Sequence, residues 1–292
     1  MTKDVCRLCG GVELGRLPYY YTLGEKRIYG ARCRRCGLVT VSPMPTKREL
    51  AALYGGEYFE GDYHCGHAES YEDQPLVEYH RRVITSFQGL KPKGRMLEVG
   101  AAGGRFLLEA GSRGYDVFGV ELSPEACEIG KKLGIELFCG ELHDAGFADG
   151  SFDLAYLGDV LEHIPEPDET LSELARILAP GGVLGLSCPT NIDLISTRVG
   201  LLAYRLLGRE RKAPLPPYHI FEFTPRHLKA MLGKAGFRVV RAEVEIIPPS
   251  EINLRGSLIE RLGKAALHWP NYIITKLTGL MGDRVTIFAV RK

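Results

Sequence analysis

Arg95-Met-Leu-Glu-Val-Gly-Ala-Ala-Gly-Gly-Arg-Phe106 is the stretch of sequence that decides the fold. The apolar run Met96 to Val99 predicts a short buried strand, and Gly100 to Gly104 allows the backbone to turn tightly and approach a ligand. Arg105 begins a predicted helix. A strand, a glycine-rich loop and a helix in this order predict the ligand-binding start of a nucleoside-binding α/β domain.

A second acid strengthens this prediction. The apolar run that begins at Tyr115 ends in Glu121, 23 residues after Glu98. A carboxylate at the end of the second strand of such a unit can accept hydrogen bonds from both hydroxyls of a ribose. The two segments together therefore predict a βαβ unit that binds a nucleoside.

The pattern Glu98-x-Gly100-x-Ala102-x-Gly104, followed by Glu121, resembles the class I S-adenosylmethionine-dependent methyltransferases. Their loop usually has glycine where this chain has Ala102. The resemblance implies an α/β, Rossmann-like sheet of seven strands, with S-adenosylmethionine as the cofactor and Glu98 facing its cationic methionine moiety. A nicotinamide dinucleotide site is the alternative, but its fingerprint has no acid two residues before the first glycine.

Other cofactor contacts follow from the same resemblance. Related enzymes hold the adenine between a polar and an apolar side chain after the third strand, here predicted at residues 135–140, and carry a tyrosine ahead of the first strand. The resulting set of cofactor-binding residues is Tyr71, Glu98, Gly100, Ala102, Gly104, Glu121, Leu122, Glu141, Leu142 and Asp159.

Length and composition set limits on function. A chain of 292 residues, 45% of them hydrophobic, is long enough for a large core, and its net charge of +1 provides no basic footprint for nucleic acid. We expect no transmembrane segment and a cytoplasmic protein, because neither a secretory leader nor a membrane-spanning run is evident. In that compartment, eight cysteines predict metal ligands or plain thiols rather than disulfides.

Two copies of Cys-x-x-Cys-Gly lie near the amino terminus. Cys6 and Cys9 form the first pair and Cys33 and Cys36 the second, separated by a segment that can form a hairpin. Four thiolates in two knuckles match the tetrahedral preference of Zn²⁺. The sequence predicts a closed, structural zinc ribbon, against the alternative of four unconnected thiols.

The turn after the fourth strand is where reaction chemistry is expected, because open α/β sheets place ligands at the carboxyl ends of their strands. Asp159, Glu162 and His163 there resemble the Glu-x-x-Glu-His element of ubiquinone-pathway, sugar and polyketide O-methyltransferases. His163 is the predicted general base, because neutral imidazole can accept a hydroxyl proton. The same triad could hold Mg²⁺, or Glu162 and His163 could only stabilise the turn.

His219 is the second acid/base or substrate-orienting candidate, since related enzymes carry a histidine shortly before a Phe-Thr-Pro helix start. His227, inside that helix, is predicted to be structural. His64, Cys65 and His67 lack a nearby fourth metal ligand and are interpreted as surface or lid residues.

The predicted organisation has three parts. Residues 1–42 form the zinc ribbon, residues 43–92 an aromatic lid and linker, and residues 93–292 the methyltransferase domain with helical insertions at about 191–217 and 248–283. The second insertion is expected to break at Trp269-Pro270. Together the insertions would cover the acceptor site or form a dimer surface. The basic end of the first could touch a membrane, but burial of its apolar helix against the core or a partner is the preferred interpretation, since membrane-surface helices usually carry basic residues along one face.

The predicted function is O-methylation of a sugar, glycan or secondary-metabolite hydroxyl. The alternatives are an rRNA base methyltransferase with a zinc ribbon, a sugar C-methyltransferase and a non-catalytic assembly protein with a cofactor fold. The rRNA alternative would need a basic stripe and an Asn/Asp-Pro-Pro-Tyr base clamp after the fourth strand. That turn is instead Gly158-Asp-Val-Leu-Glu-His163.

Overall fold

The computed structural model describes residues 4–53, 74–252 and 258–292. The predicted cofactor residue Tyr71 lies outside the described residues, as do His64, Cys65, His67 and most of the predicted lid. The strands are β1 (Leu14–Leu23), β2 (Lys26–Cys33), β3 (Val39–Ser42), β4 (Arg95–Val99), β5 (Asp116–Glu121), β6 (Leu137–Cys139), β7 (Phe152–Gly158), β8 (Leu178–Pro189), β9 (Arg211–Lys212), β10 (Phe221–Glu222), β11 (Phe237–Glu245) and β12 (Arg284–Arg291). The α-helices are α1 (Lys47–Leu53), α2 (Gln74–Leu90), α3 (Arg105–Ser112), α4 (Pro124–Lys132), α5 (Pro167–Ile177), α6 (Ile195–Leu206), α7 (Pro225–Lys234) and α8 (Leu258–Thr278).

A seven-stranded sheet forms the centre of the molecule, in the order β11-β12-β8-β7-β4-β5-β6. Strands β4 to β8 pair in parallel, whereas β12 pairs antiparallel with both β8 and β11. The central strands are buried on both faces, which explains their continuous apolar sequences. The prediction of a seven-stranded Rossmann-like sheet is confirmed.

Local sequence signals place the helices that follow the strands. The Ser123 side chain caps α4 by accepting a hydrogen bond from the backbone N–H of Ala126, and Pro124 occupies the first helical turn. Thr224 and His227 form a reciprocal capping box at the start of α7. These caps fix the helix starts at the predicted positions.

The amino-terminal sheet includes strands from far along the chain. Its order is β10-β3-β2-β1-β9, so strands from residues 211–222 cover both edges of the β1–β3 meander. The Nε2 atom of His227 lies 3.2 Å from the carbonyl oxygen of Cys36, and Lys234 donates to the carbonyl oxygen of Leu8. The ribbon and the large sheet therefore share one apolar core.

Two observations correct the sequence analysis. Helix α8 continues through Pro270 instead of breaking there. Pro270 and Ala266, four residues earlier, are both exposed, so the carbonyl group that loses its helical donor can face water. In addition, Cys127 of α4 and Cys139 of β6 form a disulfide, with Cα atoms 6.2 Å apart, although thiols were expected.

Within the described residues, no helix is long and apolar enough to cross a bilayer.

Candidate functional site

Four cysteine side chains meet at the base of the ribbon, as predicted. The sulfur atoms of Cys6 and Cys36 are 3.5 Å apart, as are those of Cys9 and Cys33, and all four lie within 4.8 Å of one another. Zinc–sulfur bonds of about 2.3 Å in a tetrahedron require sulfur–sulfur distances of about 3.8 Å. The cluster therefore fits Zn²⁺ with only a small expansion.

The backbone of the second knuckle favours the thiolate form of Cys33, whereas burial raises the pKa of Cys6 and of Cys36. Burial alone would raise the pKa of the Cys33 thiol, but hydrogen bonds from the backbone N–H groups of Cys36 and Arg35 outweigh it and lower the pKa to about 7. Gly10 and Gly37, which follow the two pairs, have φ angles of +70° and +86°. This left-handed conformation is accessible to glycine at little cost, which explains why the residue follows each cysteine pair.

The glycine-rich loop lies between β4 and α3 at the carboxyl edge of the large sheet. The backbone N–H groups of Gly100 and Ala101 donate to the carbonyl oxygen of Val120, which ties the loop to β5. A methyl group on Gly100 would come within 2.4 Å of the Val160 side chain. The turn that carries Glu162 and His163 therefore packs directly against this loop.

Ala102 adopts a left-handed conformation with φ of 45°, which explains why related loops have glycine at this position. Its backbone N–H donates a 2.7 Å hydrogen bond to the Glu121 carboxylate, whose other oxygen accepts from the N–H of Ser123 at 2.9 Å. Each oxygen has one partner and capacity for a further donor. Glu121 can thus accept the two hydroxyl groups of a ribose without losing its backbone contacts.

Glu98 is almost completely buried beside this loop. Its Oε2 atom has no hydrogen-bond partner within the described part of the chain. Burial raises the pKa of the Glu98 carboxyl well above its usual range, and the negative charge of Glu121 raises it further. A cationic ligand here would stabilise the ionised carboxylate. The orphaned oxygen and the Glu121 cradle fit the ammonium or sulfonium group and the ribose of S-adenosylmethionine.

The remaining predicted cofactor residues occupy the rim of the same edge. Leu142 is buried, Leu122 is exposed next to Glu121, and Glu141 forms an ion pair with Lys47 of α1. Asp159 differs from the others. Both of its carboxylate oxygens accept from Nη1 of Arg284 at 2.6 Å, and its own φ angle is 55°. Both oxygens of the Asp159 carboxylate are therefore already hydrogen-bonded to a side chain of the protein.

His163 and His219 are brought together although 56 positions separate them in the sequence. Their ring centroids are 4.8 Å apart, in an edge-to-face arrangement. The Nδ1 atom of His163 lies 2.8 Å from the carbonyl oxygen of Tyr218. Because a carbonyl oxygen only accepts, Nδ1 carries the proton and Nε2 of the neutral ring is the basic atom.

The surroundings of both rings favour the neutral form. Burial lowers the pKa of His163, although the Tyr218 carbonyl and the charge of Asp159 oppose the shift. Burial lowers the pKa of His219 to about 3, with contributions from His163 and the positive charge of Arg284. Both imidazoles are thus neutral at physiological pH, as a general base requires.

Glu162 lies beneath the two histidines and is almost inaccessible to solvent. Neither carboxyl oxygen has a hydrogen-bond partner among the residues that the structure describes. Burial, and then the negative charge of Asp159, raise the pKa of Glu162 well above its usual range. Donor atoms of Glu162, His163 and His219 lie within 4.8 Å of one another, so a cation site would use His219 rather than the predicted Asp159.

Sequence reasoning missed Arg284, the Tyr218 carbonyl and Cys188. Arg284 anchors Asp159 across 125 positions, and the Tyr218 carbonyl selects the tautomer of His163. Cys188 is fully buried beside Glu162, and burial raises the pKa of its thiol well above the usual range. None of the three belongs to a local motif. The expectation that the end of β8 and the start of β12 lie near the end of β7 could have suggested Cys188 and Arg284, but not the Tyr218 carbonyl.

Together, the seven-stranded sheet, the paired acids at the glycine-rich loop and the histidines at the next strand end define a domain of the class I methyltransferase type. A family model described as a methyltransferase domain matches residues 72–242, and the chain belongs to that family. The chain is 30% identical over 152 residues to a ubiquinone biosynthesis O-methyltransferase of Xanthomonas oryzae, covering 48% of this chain and 61% of the relative. It is 31% identical over 106 residues to a demethylmenaquinone methyltransferase of Renibacterium salmoninarum, covering 36% and 45%.

Among solved structures, a methyltransferase of Archaeoglobus fulgidus described as S-adenosylmethionine-dependent has the same fold. Its TM-score is 0.50 at 21% identity, and the match covers 80% of this chain and 97% of the other. The chain spans about half the length of the curated relatives it matches. The likeness to these proteins therefore supports the fold and the family, and the reaction has to be argued from the site.

Proposed function

We propose that the protein transfers the methyl group of S-adenosylmethionine to a hydroxyl group of a small molecule, with His163 as general base. The observation that carries this proposal is the hydrogen bond between Nδ1 of His163 and the Tyr218 carbonyl, which makes Nε2 the basic atom of the neutral ring, in a turn that packs against the glycine-rich loop. When bound, S-adenosylmethionine supplies an electrophilic methyl group on its sulfonium.

The protein's own groups have separate roles in this proposal. Glu121 accepts the ribose hydroxyls, and Glu98 faces a positive charge of the cofactor. Nε2 of His163 takes the proton from the hydroxyl group that receives the methyl. His219, whose ring packs edge to face against His163, orients that hydroxyl group. Glu162 lies beneath the two rings, and burial raises the pKa of its carboxyl group, which favours the neutral form there.

The proposed methyl acceptor is a hydroxyl group of a small molecule. A sugar, glycan or secondary-metabolite hydroxyl is consistent with a base that acts without a metal. The similarity to an O-methyltransferase of ubiquinone biosynthesis supports a hydroxyl group of a small molecule as the acceptor. Phenols lose a proton more readily than sugars, so a neutral imidazole suits them better.

A screen of sugars, nucleotide-sugars and phenols with methyl-labelled S-adenosylmethionine tests the proposal. We expect a labelled methyl ether from at least one acceptor and binding of S-adenosylhomocysteine by calorimetry. Absence of cofactor binding would refute the methyltransferase assignment. Cofactor binding with an N- or C-methylated product would refute only the choice of oxygen.

We also propose that the four-cysteine cluster binds one structural Zn²⁺. The cluster has four protein ligands and no position for water, so it is suited to holding the ribbon together rather than to hydrolysis.

A further inference from the structure

Helix α8 has its apolar and polar faces reversed relative to a helix packed on a protein core. The side chains of His268, Asn271 and Thr275 point inward and are buried. His268 contacts the carbonyl oxygen of Ile247 at 2.8 Å, and Asn271 donates to the carbonyl oxygen of Met281. Polar side chains therefore hold α8 to the rest of the protein.

The opposite face of α8 presents large apolar side chains to solvent. They recur at intervals of four or seven residues, which are close to one and two turns of the 3.6-residue period, and so form one stripe along the helix. Trp269 is 58% exposed and Leu277 80% exposed. The stripe consists of Leu258, Leu262, Trp269, Ile273 and Leu277, and is extended beyond the helix by Leu280.

Helix α6 packs beside α8 and has the same character. The backbone N–H of Ile195 donates a 2.6 Å hydrogen bond to the side chain of Asn271, which joins the two helices. No residue of α6 is buried. Its exposed apolar side chains and those that follow it are Val199, Leu202, Leu206 and Leu207. We call α6 and α8, with their exposed apolar residues, the α6/α8 face.

The two helices of this face carry more basic than acidic residues. Together α6 and α8 contain five Arg and Lys residues and one Glu, whereas the whole chain is nearly balanced at 37 basic and 36 acidic residues. One of the five, Arg198, is paired with Asp193, which lies just before α6. Contact between two copies through this face would oppose like charges, so the charge pattern disfavours a symmetric dimer and fits an anionic surface.

Aromatic residues on α8 are of the kind found at the boundary between lipid and water. The rings of Trp269 and Tyr272 pack edge to face with centroids 6.5 Å apart. The Lys276 ammonium lies 5.4 Å from the centroid of the Tyr272 ring. Tryptophan and tyrosine concentrate at membrane interfaces, and lysine extends its charge toward the headgroups.

We propose that the α6/α8 face docks on an anionic lipid membrane, with the apolar stripe of α8 in the interface plane. No described helix can span a bilayer, so the contact is with one leaflet. The face lies at the catalytic edge of the sheet. Helix α6 follows the end of β8, and α8 precedes Arg284, the residue that holds Asp159. Membrane binding is independent of the proposed reaction and is tested without cofactor.

Trp269 is the only tryptophan in the chain, so its fluorescence reports on this face alone. With vesicles of phosphatidylcholine and phosphatidylglycerol, we expect a blue shift of the emission, quenching by brominated lipid, and co-sedimentation of the protein. Raising the salt concentration should weaken binding, and pure phosphatidylcholine vesicles should bind at least tenfold more weakly. Emission and sedimentation that do not change with anionic vesicles would overturn the proposal.

The double variant Leu262→Glu/Leu277→Glu should lose vesicle binding by at least tenfold. Both positions are exposed, at 63% and 80%, so the fold should tolerate the change, which circular dichroism checks. Val12→Glu alters an apolar residue of similar exposure, 55%, on the ribbon and should bind vesicles as wild type does. If the wild-type protein is a dimer that the double variant converts to a monomer, and vesicles do not shift Trp269, the face is a self-association surface and the proposal is wrong.

Discussion

The cysteine cluster of the ribbon and the histidine cluster at the strand ends both join residues from distant parts of the chain. They differ in whether their buried polar atoms have partners. In the ribbon, backbone N–H groups turn toward the sulfurs and the four thiols contact one another. At the strand ends, Glu98 and Glu162 keep carboxyl oxygens without partners among the described residues. A closed cluster serves stability, whereas buried polar atoms without partners mark a place for a ligand.

The largest expected effect tests the ribbon. Cys33→Ser should reduce bound zinc from about one equivalent to almost none and lower the melting temperature, because four-thiolate sites contribute on the order of 10 kcal/mol to folding. Metal analysis and thermal melts measure both. Cys188→Ala, which alters a free cysteine outside the cluster, should keep its zinc. Full zinc content in Cys33→Ser would show that the cluster is not the metal site.

The next effect tests the strand-end cluster. His163→Ala should lower turnover by roughly 10²–10⁴ while leaving cofactor affinity unchanged, which is the usual contribution of positioned proton transfer. Single-turnover kinetics and calorimetry separate the two quantities. His219→Ala should cost less, because that ring only orients the acceptor. A wild-type rate in His163→Ala would leave proximity and desolvation to account for the reaction.

Glu121→Ala tests whether a ligand donates hydrogen bonds to the Glu121 carboxylate, each oxygen of which can accept one more. Loss of two charge-assisted hydrogen bonds should weaken S-adenosylhomocysteine by on the order of 1.5–3 kcal/mol, or roughly ten- to 150-fold. Titration calorimetry gives the affinity. Glu136→Ala removes an exposed acid at the start of β6 and serves as the matched control. Equal affinities in the two variants would contradict the cofactor assignment.

The depressed pKa of His163 predicts a pH effect of known sign. The ring acts as a base only when neutral, so turnover should stay on its plateau as pH falls below the ordinary imidazole value of about 6.5. It should then decline about tenfold per pH unit once pH passes the lowered pKa. A pH–rate profile of single turnovers measures the midpoint. A midpoint at or above 6.5 would mean that the ring is more solvated than its burial implies.

The smallest effect concerns Ala102. Replacement by glycine relieves the left-handed strain but increases the entropy of the unfolded chain, so the free energy of unfolding should change by less than about 1 kcal/mol. Cofactor affinity should be unchanged or slightly higher. Ala101→Gly removes a buried methyl group without relieving strain and should destabilise the protein more. Denaturant melts that rank the two variants in the opposite order would contradict this explanation.

Local patterns predicted the parts of both clusters that lie within one segment. The Cys-x-x-Cys-Gly repeats, the Glu98 to Gly104 loop and the caps at Ser123 and Thr224 each specify their own geometry through a few neighbouring residues. The fold class followed from the same signals. The assigned roles of the site residues remain predictions that the experiments above address.

Long-range partners were beyond the reach of the sequence. No sequence pattern near Asp159 predicts its ion pair with Arg284. No motif predicts the hydrogen bond between the Tyr218 carbonyl and His163. The disulfide between Cys127 and Cys139 depends on how α4 packs against β6. These contacts depend on which strand ends become neighbours. The order of strands in the complete sheet determines that, and the hydrophobic periodicity of a single segment does not show it.

The strands β9 and β10 have a consequence for the order in which the molecule is assembled. Tyr19 pairs with Arg211, and Thr40 pairs with Phe221, so the first sheet in the chain acquires its edges from segments synthesised much later. Until residue 222 has left the ribosome, the β1–β3 meander presents two unpaired edges, which are templates for aggregation. Early capture of a metal ion would hold the meander together during that interval, and the first sheet in the chain would be completed only after the five parallel strands of the large sheet have been made.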